Sequence, residues 1–251
     1  MYQKDRLDDI LQILKEHGYV TVKYLTEELH YSTATINRDL NVLQSQKLIT
    51  RSYGGAQLVE STVTPLTFRY HKMKATKNQI GKKAATFIEN GDTIFIDGST
   101  TGQYIGRYIT DRKDLTVITN NMNLASFLSE YGVKCFCLGG EVVEAPSMLG
   151  GMMAVENAQS YRVDKMFFST YGMEDDGRIG STTVYYDLHR VMLKNAAKVF
   201  YMMDSGKLHV KTPLFLGDFS AVDYVISDYR FSPEVKSKYS STKFIPVESK
   251  D

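Results

Sequence analysis

From Thr93 onward one pattern recurs: a short run of β-branched and aromatic residues, then a stretch with helical spacing. TIFID (93–97), LTVIT (115–119), VKCFCL (133–138), KMFFS (165–169), KVFYMM (198–203) and YVIS (224–227) each read as a buried strand. Residues 101–109, 122–131 and 183–196 separate several of these runs and read as helices. Strands that alternate with helices are joined by crossovers, so the pattern predicts an α/β domain on a parallel, Rossmann-like sheet. Ligands of such sheets bind at the carboxyl ends of the strands.

The first sixty residues obey a different rule. Leu7, Ile10, Leu11 and Leu14 fall on one face of a helix over Lys4–Glu16 that Gly18 stops. Val20–Val22 is short and β-branched, and Lys23–His30 forms a second amphipathic run with Leu25 and Leu29 inside. After a turn at Tyr31, Ser32 suits the N-cap of a helix over Thr33–Gln44. Ile36, Leu40 and Leu43 make its apolar stripe and leave Thr33, Thr35, Asn37, Arg38 and Asn41 on other faces. LITRSYGGAQLV then places two short strands around Gly54-Gly55. Three helices and a hairpin make a winged helix-turn-helix, whose second motif helix fits a DNA major groove. The predicted division is a DNA-binding domain over 1–60, a linker over 61–76 with Pro65 at the boundary, and an α/β sensor domain over 77–251.

Charge enters through its distribution. The whole chain of 251 residues carries a formal +1, and residues 1–60 hold seven Lys/Arg against eight Asp/Glu. From Ser32 to Ala56, however, Asp39 is the sole acid beside Arg38, Lys47 and Arg51. Local positive charge is what a DNA-facing surface needs. Ser61–Ile88 has no acid and gathers Arg69, Lys72, Lys74, Lys77, Lys82 and Lys83. That basic stretch reads either as a solvated linker and helix face or as a segment near the phosphate backbone. No apolar run approaches the ~18 residues a membrane span requires, and the N-terminus has no signal-peptide pattern, so a cytoplasmic protein is expected. Cys135 and Cys137, two apart on one strand, read as buried thiols of a reducing compartment. The scattered histidines have no metal-ligand spacing, and no metal is expected.

Small polar residues recur where the predicted strands end. Asp97-Gly98-Ser99-Thr100-Thr101 follows the first strand and leads into a helix, an arrangement that fits either an anion site or an ordinary cap. Asn120 follows the second strand, Gly139-Gly140 the third, and Asp204-Ser205-Gly206-Lys207 the run KVFYMM, where Lys207 suits a phosphate. Together they predict one polar, phosphate-sized pocket. No G-x-G-x-x-G, Walker A or G-x-S-x-G sequence is present, so neither a dinucleotide site nor a hydrolase elbow is expected. Asp97 with Lys207 leaves open an isomerase-type enzyme fused to a DNA-binding domain.

STATINRDL (32–40), RSYGGA (51–56), IDGSTT (96–101), TNN (119–121), LGG (138–140) and DSGK (204–207) resemble, in order, the DeoR family of bacterial transcriptional regulators. The resemblance implies a sugar-phosphate-isomerase-like sensor domain that binds a phosphorylated sugar as effector, with no catalytic residues and no cofactor. It also implies repression of a sugar-utilisation operon, binding to double-stranded operator DNA, and a homodimer or homotetramer. It places Ser32, Thr33, Thr35, Asn37, Arg38, Arg51, Tyr53, Gly54 and Gly55 in the DNA-binding part. Asp97, Ser99, Thr100, Thr101, Asn120, Gly139, Gly140 and Lys207 fall on the effector-site motifs. The chain departs from the family's paired arginines at Asn37-Arg38 and from its usual wing histidine at Tyr53, and 177–187 fits the family's Gly-rich loop loosely. Asparagine pairs with adenine where arginine pairs with guanine, so Asn37 either reads a base or touches only phosphate and solvent.

Overall fold

A computed structural model describes residues 3–46, 48–52, 54–59, 69, 72–144 and 147–249. The chain divides into two compact units, Met1–His71 and Lys72–Asp251.

The N-terminal unit runs α1 (Gln3–His17), β1 (Tyr19–Thr21), α2 (Val22–Leu29), α3 (Thr33–Ser45), β2 (Ile49–Ser52) and β3 (Gly55–Leu58). Ile10, Leu14, Leu25, Ile36, Leu40 and Leu43 interlock in its core, as the helical spacing predicts. Leu29 is half-buried, and Val22 takes the inward place beside Leu25 because the second helix begins one residue earlier than expected. Of the β-branched run Val20–Val22, Val20 and Thr21 pair with β3 as part of β1 while Val22 opens α2, and the antiparallel sheet has the order β1-β3-β2.

The C-terminal unit begins with α4 (Lys74–Ala85), a helix that starts inside the stretch read as linker. Then come β4 (Thr93–Ile96), β5 (Thr116–Thr119), α5 (Met122–Glu130), β6 (Lys134–Cys137), β7 (Glu141–Glu144), β8 (Met148–Gly150), α6 (Gly151–Gln159) and β9 (Val163–Phe168). β10 (Gly172–Met173), β11 (Arg178–Ser181), α7 (Thr183–Asn195), β12 (Ala196–Met203), β13 (Leu214–Asp218), β14 (Tyr224–Ser227), α8 (Pro233–Lys238) and β15 (Lys243–Pro246) follow.

The main sheet has the order β15-β14-β12-β9-β4-β5-β6, and every neighbouring pair is parallel. Its inner strands are apolar on both faces because helices cover both. Phe95, Ile118, Met166, Phe168, Tyr201 and Met203 point to the side of α7. Ile94, Ile96, Val117, Phe167, Phe200 and Met202 point to the side of α4, with Ile80 and Ala84. The two-residue period of a strand thus sorts one continuous apolar run into two cores. β10, β11 and β13 form a separate antiparallel sheet, and β7 pairs with β8.

Three expectations need correction. Residues 102–108 form a 3₁₀ helix, not an α-helix. Cys137 is exposed and Cys135 half-buried, because β6 is an edge strand. Burial still pushes the Cys135 thiol up to about 11, and the charge of Cys137 adds to this. Lastly, the basic stretch is not uniformly solvated: Lys77 is buried, and its Nζ donates to the Lys72 carbonyl at 2.7 Å. Pro65 lies outside the described residues.

Candidate functional site

Two separate sites emerge, one in each unit. In the N-terminal unit His30 ends α2 in a left-handed conformation (φ 56°), which turns the chain sharply into the next helix. Ser32 then caps α3, its hydroxyl accepting from the Thr35 N–H at 3.2 Å. Thr33, Arg38 and Asn41 are exposed, and Thr35 and Asn37 are half-buried, opposite the apolar stripe.

Asp39 has no part in that outer face. It is fully buried and pairs with Arg6, Nε to Oδ2 at 2.5 Å and Nη2 to Oδ1 at 3.1 Å, with Gln3 Nε2 also on Oδ1. The guanidinium of Arg6 lies over the Tyr31 ring at 4.7 Å. The acid in STATINRDL therefore ties α3 to α1, and its charge is matched inside the unit.

The wing approaches the same helix. Arg51 of β2 reaches Asn41 Oδ1 at 2.6 Å and Asn37 Oδ1 at 2.5 Å. Gly54 supplies the turn with φ 75°. A Cβ on Gly55 would collide with the Val20 carbonyl oxygen and the Tyr19 hydroxyl, so only glycine lets β1 lie against the wing. Tyr53 and Lys47 lie outside the described residues.

In the C-terminal unit the chain runs from β4 outward to β5 and β6, then returns at β9 on the other side of β4. Crevices open at the carboxyl ends of strands where the direction of winding reverses in this way. Asp97 follows β4 there and is almost wholly buried. Its Oδ1 accepts from Ser99 Oγ at 2.5 Å and from the Ser99 N–H at 3.3 Å. Its Oδ2 accepts from the Ser169 N–H at 3.0 Å and pairs with His189 Nε2 at 3.2 Å. Lys207 Nζ donates to Ser169 Oγ and to Thr101 Oγ1, the latter at 3.3 Å, and lies 3.8 Å from Asp204 Oδ2. That last distance is an ion pair and too long for a hydrogen bond; Asp204 Oδ2 is buried with no hydrogen-bond partner among the described residues. Thr170 Oγ1 meets the Tyr201 hydroxyl at 2.7 Å, and burial pushes that phenol well above its usual range.

Asp97, Ser99, Thr101 and Lys207 are thus brought together. Thr100 is buried in the same loop, and its carbonyl accepts from Gln103. Asn120 has a bracing position: Oδ1 accepts from the Gly98 N–H at 2.8 Å, and Nδ2 donates to the Leu149 carbonyl at 2.9 Å. A Cβ on Gly139 would meet Asn157, and one on Gly140 (φ 134°) would collide with the Gly150 carbonyl and crowd Ala154, so this pair packs against β8 and α6. Ser99 has its hydroxyl engaged twice, with Asp97 and with the Gly102 N–H at 2.9 Å. A seven-residue 3₁₀ helix follows, so an α-helix dipole contributes nothing here.

Sequence reading missed Ser169, His189 and Lys72. Ser169 ends a strand run, the same signal that marked Asp97 and Asp204. His189 sits mid-helix in α7 and carries no local signal. Lys72 donates to the Gly206 carbonyl at 3.1 Å and so touches the loop that bears Lys207.

Residues 6–62 match the DeoR-like helix-turn-helix domain, and residues 72–229 match the DeoR C terminal sensor domain. The chain belongs to the DeoR family. Among its DeoR-family relatives is the HTH-type transcriptional repressor GlcR of Bacillus subtilis, 33% identical over 235 residues that cover 91% of this chain and 89% of that one. The glycerol-3-phosphate regulon repressor of Escherichia coli is 32% identical over 91% of this chain and 92% of its own. The lactose phosphotransferase system repressor of Lactococcus lactis is 32% identical over 96% of each. Among solved structures, a D-ribose-5-phosphate isomerase in complex with phospho-erythronic acid aligns with a TM-score of 0.40 at 13% identity over 54% of each chain. No helix among the described residues is long and apolar enough to cross a membrane.

Proposed function

We propose that this DeoR-family chain is a transcriptional repressor of a sugar-utilisation operon, and that a phosphorylated sugar bound in the C-terminal unit sets its affinity for double-stranded operator DNA. The observation that carries the reading is the placement of Lys207. It stands at the carboxyl ends of β4, β9 and β12, beside the hydroxyls of Thr101 and Ser169. A half-buried ammonium flanked by hydroxyls suits a phosphate, which accepts several hydrogen bonds and carries the opposite charge. The names of the relatives, repressors of glycerol 3-phosphate and lactose systems among them, support the same reading.

The site binds without turnover. An isomerase needs a base free to reach a substrate proton. Both oxygens of Asp97 are engaged, by Ser99 on one side and by Ser169 and His189 on the other. Asp97 therefore serves to shape the loop. The protein works in the cytoplasm without a cofactor, as a homodimer or homotetramer whose symmetry matches paired half-sites.

A thermal-shift screen against phosphorylated sugars tests this. A ligand that binds only the folded state stabilises it by about 2.7 kcal/mol at a hundred times its Kd. At least one sugar phosphate raises the unfolding midpoint of the wild type, its unphosphorylated sugar does not, and Lys207→Met abolishes the shift. If every sugar phosphate leaves the wild type unmoved, the sensor reading fails.

A further inference from the structure

Arg51 belongs to the wing, yet its guanidinium is held by the recognition helix. Nη2 donates to Asn37 Oδ1 at 2.5 Å and Nη1 to Asn41 Oδ1 at 2.6 Å. Asn37 and Asn41 stand one turn apart, on the face away from Ile36, Leu40 and Leu43. The Asn37 amide is itself fixed, because Nδ2 donates to the Thr33 carbonyl at 2.9 Å. Its oxygen is thereby committed to Arg51. A side chain tied at both ends of its amide is poorly placed to pair with adenine through the same two atoms, which bidentate recognition requires.

Arginine has five N–H donors. Two are used here, leaving Nε–H and one on each Nη without a protein acceptor among the described residues. The acceptors that hold Arg51 are neutral amides, so its charge is undiminished. Asp39, the acid of this helix, is sequestered on Arg6 and cannot cancel it. The result is a half-buried, oriented guanidinium with an unused donor edge at the junction of wing and helix. Such an edge matches guanine O6/N7 or a phosphate.

We propose that Arg51 makes the DNA contact at this place, and that Asn37 and Asn41 are positioning residues that hold it there. The inference rests on the DNA-binding reading above. In it, Asn37 affects DNA through Arg51: the asparagine recruits the wing's arginine to the helix.

The test uses the full-length protein and a DNA sequence that the wild type selects from a randomised pool. Affinity for that sequence is measured for Asn37→Ala, Arg51→Ala and the double variant at several salt concentrations, with each variant's own base preferences selected in parallel. Thermal unfolding of each variant checks that it is folded. Arg51→Ala weakens binding roughly 5- to 150-fold, the range of a bidentate contact. Asn37→Ala weakens it less, flattens preference only where Arg51→Ala does, and adds nothing once Arg51 is absent. Loss of a guanine preference in Arg51→Ala marks a base contact, and a salt slope lower by about 1 marks a phosphate contact; either supports the proposal. It is overturned if Asn37→Ala costs as much without Arg51 as with it, or changes preference at a position that Arg51→Ala leaves intact. If the wild type selects no sequence, the DNA-binding reading itself falls, and this inference with it.

Discussion

Asp39 has no free charge to set against DNA. Its carboxylate is buried and matched by Arg6 within the N-terminal unit, so an acid in the recognition helix leaves the outer face positive. Such pairs are costly to break from one side, because the remaining charge stays buried: about 3–5 kcal/mol. Arg6→Met should therefore lower stability of the helix-turn-helix by that amount, read by hydrogen exchange in α3, whereas Arg6→Met with Asp39→Leu recovers most of it. A single-variant loss below about 1 kcal/mol would mean that solvent screens the pair. Cys135 gives a second prediction at this scale. Its thiol is raised from an ordinary 9.0 to about 11 by burial, so the folded state favours the neutral form. Between those values the native protein binds more protons than the unfolded chain. The stabilisation is complete below pH 9 and is lost as pH rises toward 11. Alkylation of native Cys137→Ser protein should accordingly rise along a curve centred above 9.0 and short of 11, since burial still raises the thiol but the charge of Cys137 is gone, and a plateau by pH 9 would contradict the burial argument.

Within elements, two neighbouring glycines separate conformation from space. Gly54 faces open space but has φ 75°, whereas Gly55 has no room for a Cβ against β1. Gly54→Ala should cost about 1 kcal/mol through backbone strain alone. Gly55→Ala forces β1 and the wing apart, costs up to about 3 kcal/mol, and weakens DNA binding as well. Urea unfolding of the two variants compares them, and equal losses would refute the packing account. Elements were legible in the sequence where one period rules. Ile36, Leu40 and Leu43 fall on a helical stripe, and the main strands are continuous apolar runs bounded by polar turns. The strands β7, β8, β10, β11 and β13 are not marked by sequence, since they are only two to five residues long and lie in small antiparallel sheets outside the main one. β15 is likewise absent from the sequence reading; it is a four-residue strand that ends in Pro246, which is tolerated at the edge of the sheet. The site divides the same way. Asp97, Thr101 and Lys207 sit at strand ends, where local sequence marks them. Lys72 and His189 reach the site through tertiary placement, which no local spacing encodes. Asn120, Gly139 and Gly140 carry the right motif letters, but in the fold they brace loops around the site.

In the whole molecule a helix-turn-helix unit is joined in one chain to a sensor domain. Ligand and DNA must then be thermodynamically linked, since a ligand shifts an equilibrium only by its differential affinity for the two states. Typical coupling is about 1–3 kcal/mol, or 5- to 150-fold in affinity. DNA binding by the N-terminal unit should also weaken steeply with salt as lysines and arginines release counterions. The central claim is that occupancy of the Lys207 site controls DNA affinity. The most direct measurement titrates the selected DNA sequence with wild type and Lys207→Met at fixed salt, with and without the sugar phosphate that stabilises the protein. The account predicts that this ligand changes wild-type affinity by roughly 5- to 150-fold and leaves Lys207→Met unchanged. Equal DNA affinity of the wild type with and without a ligand shown to be bound would contradict it.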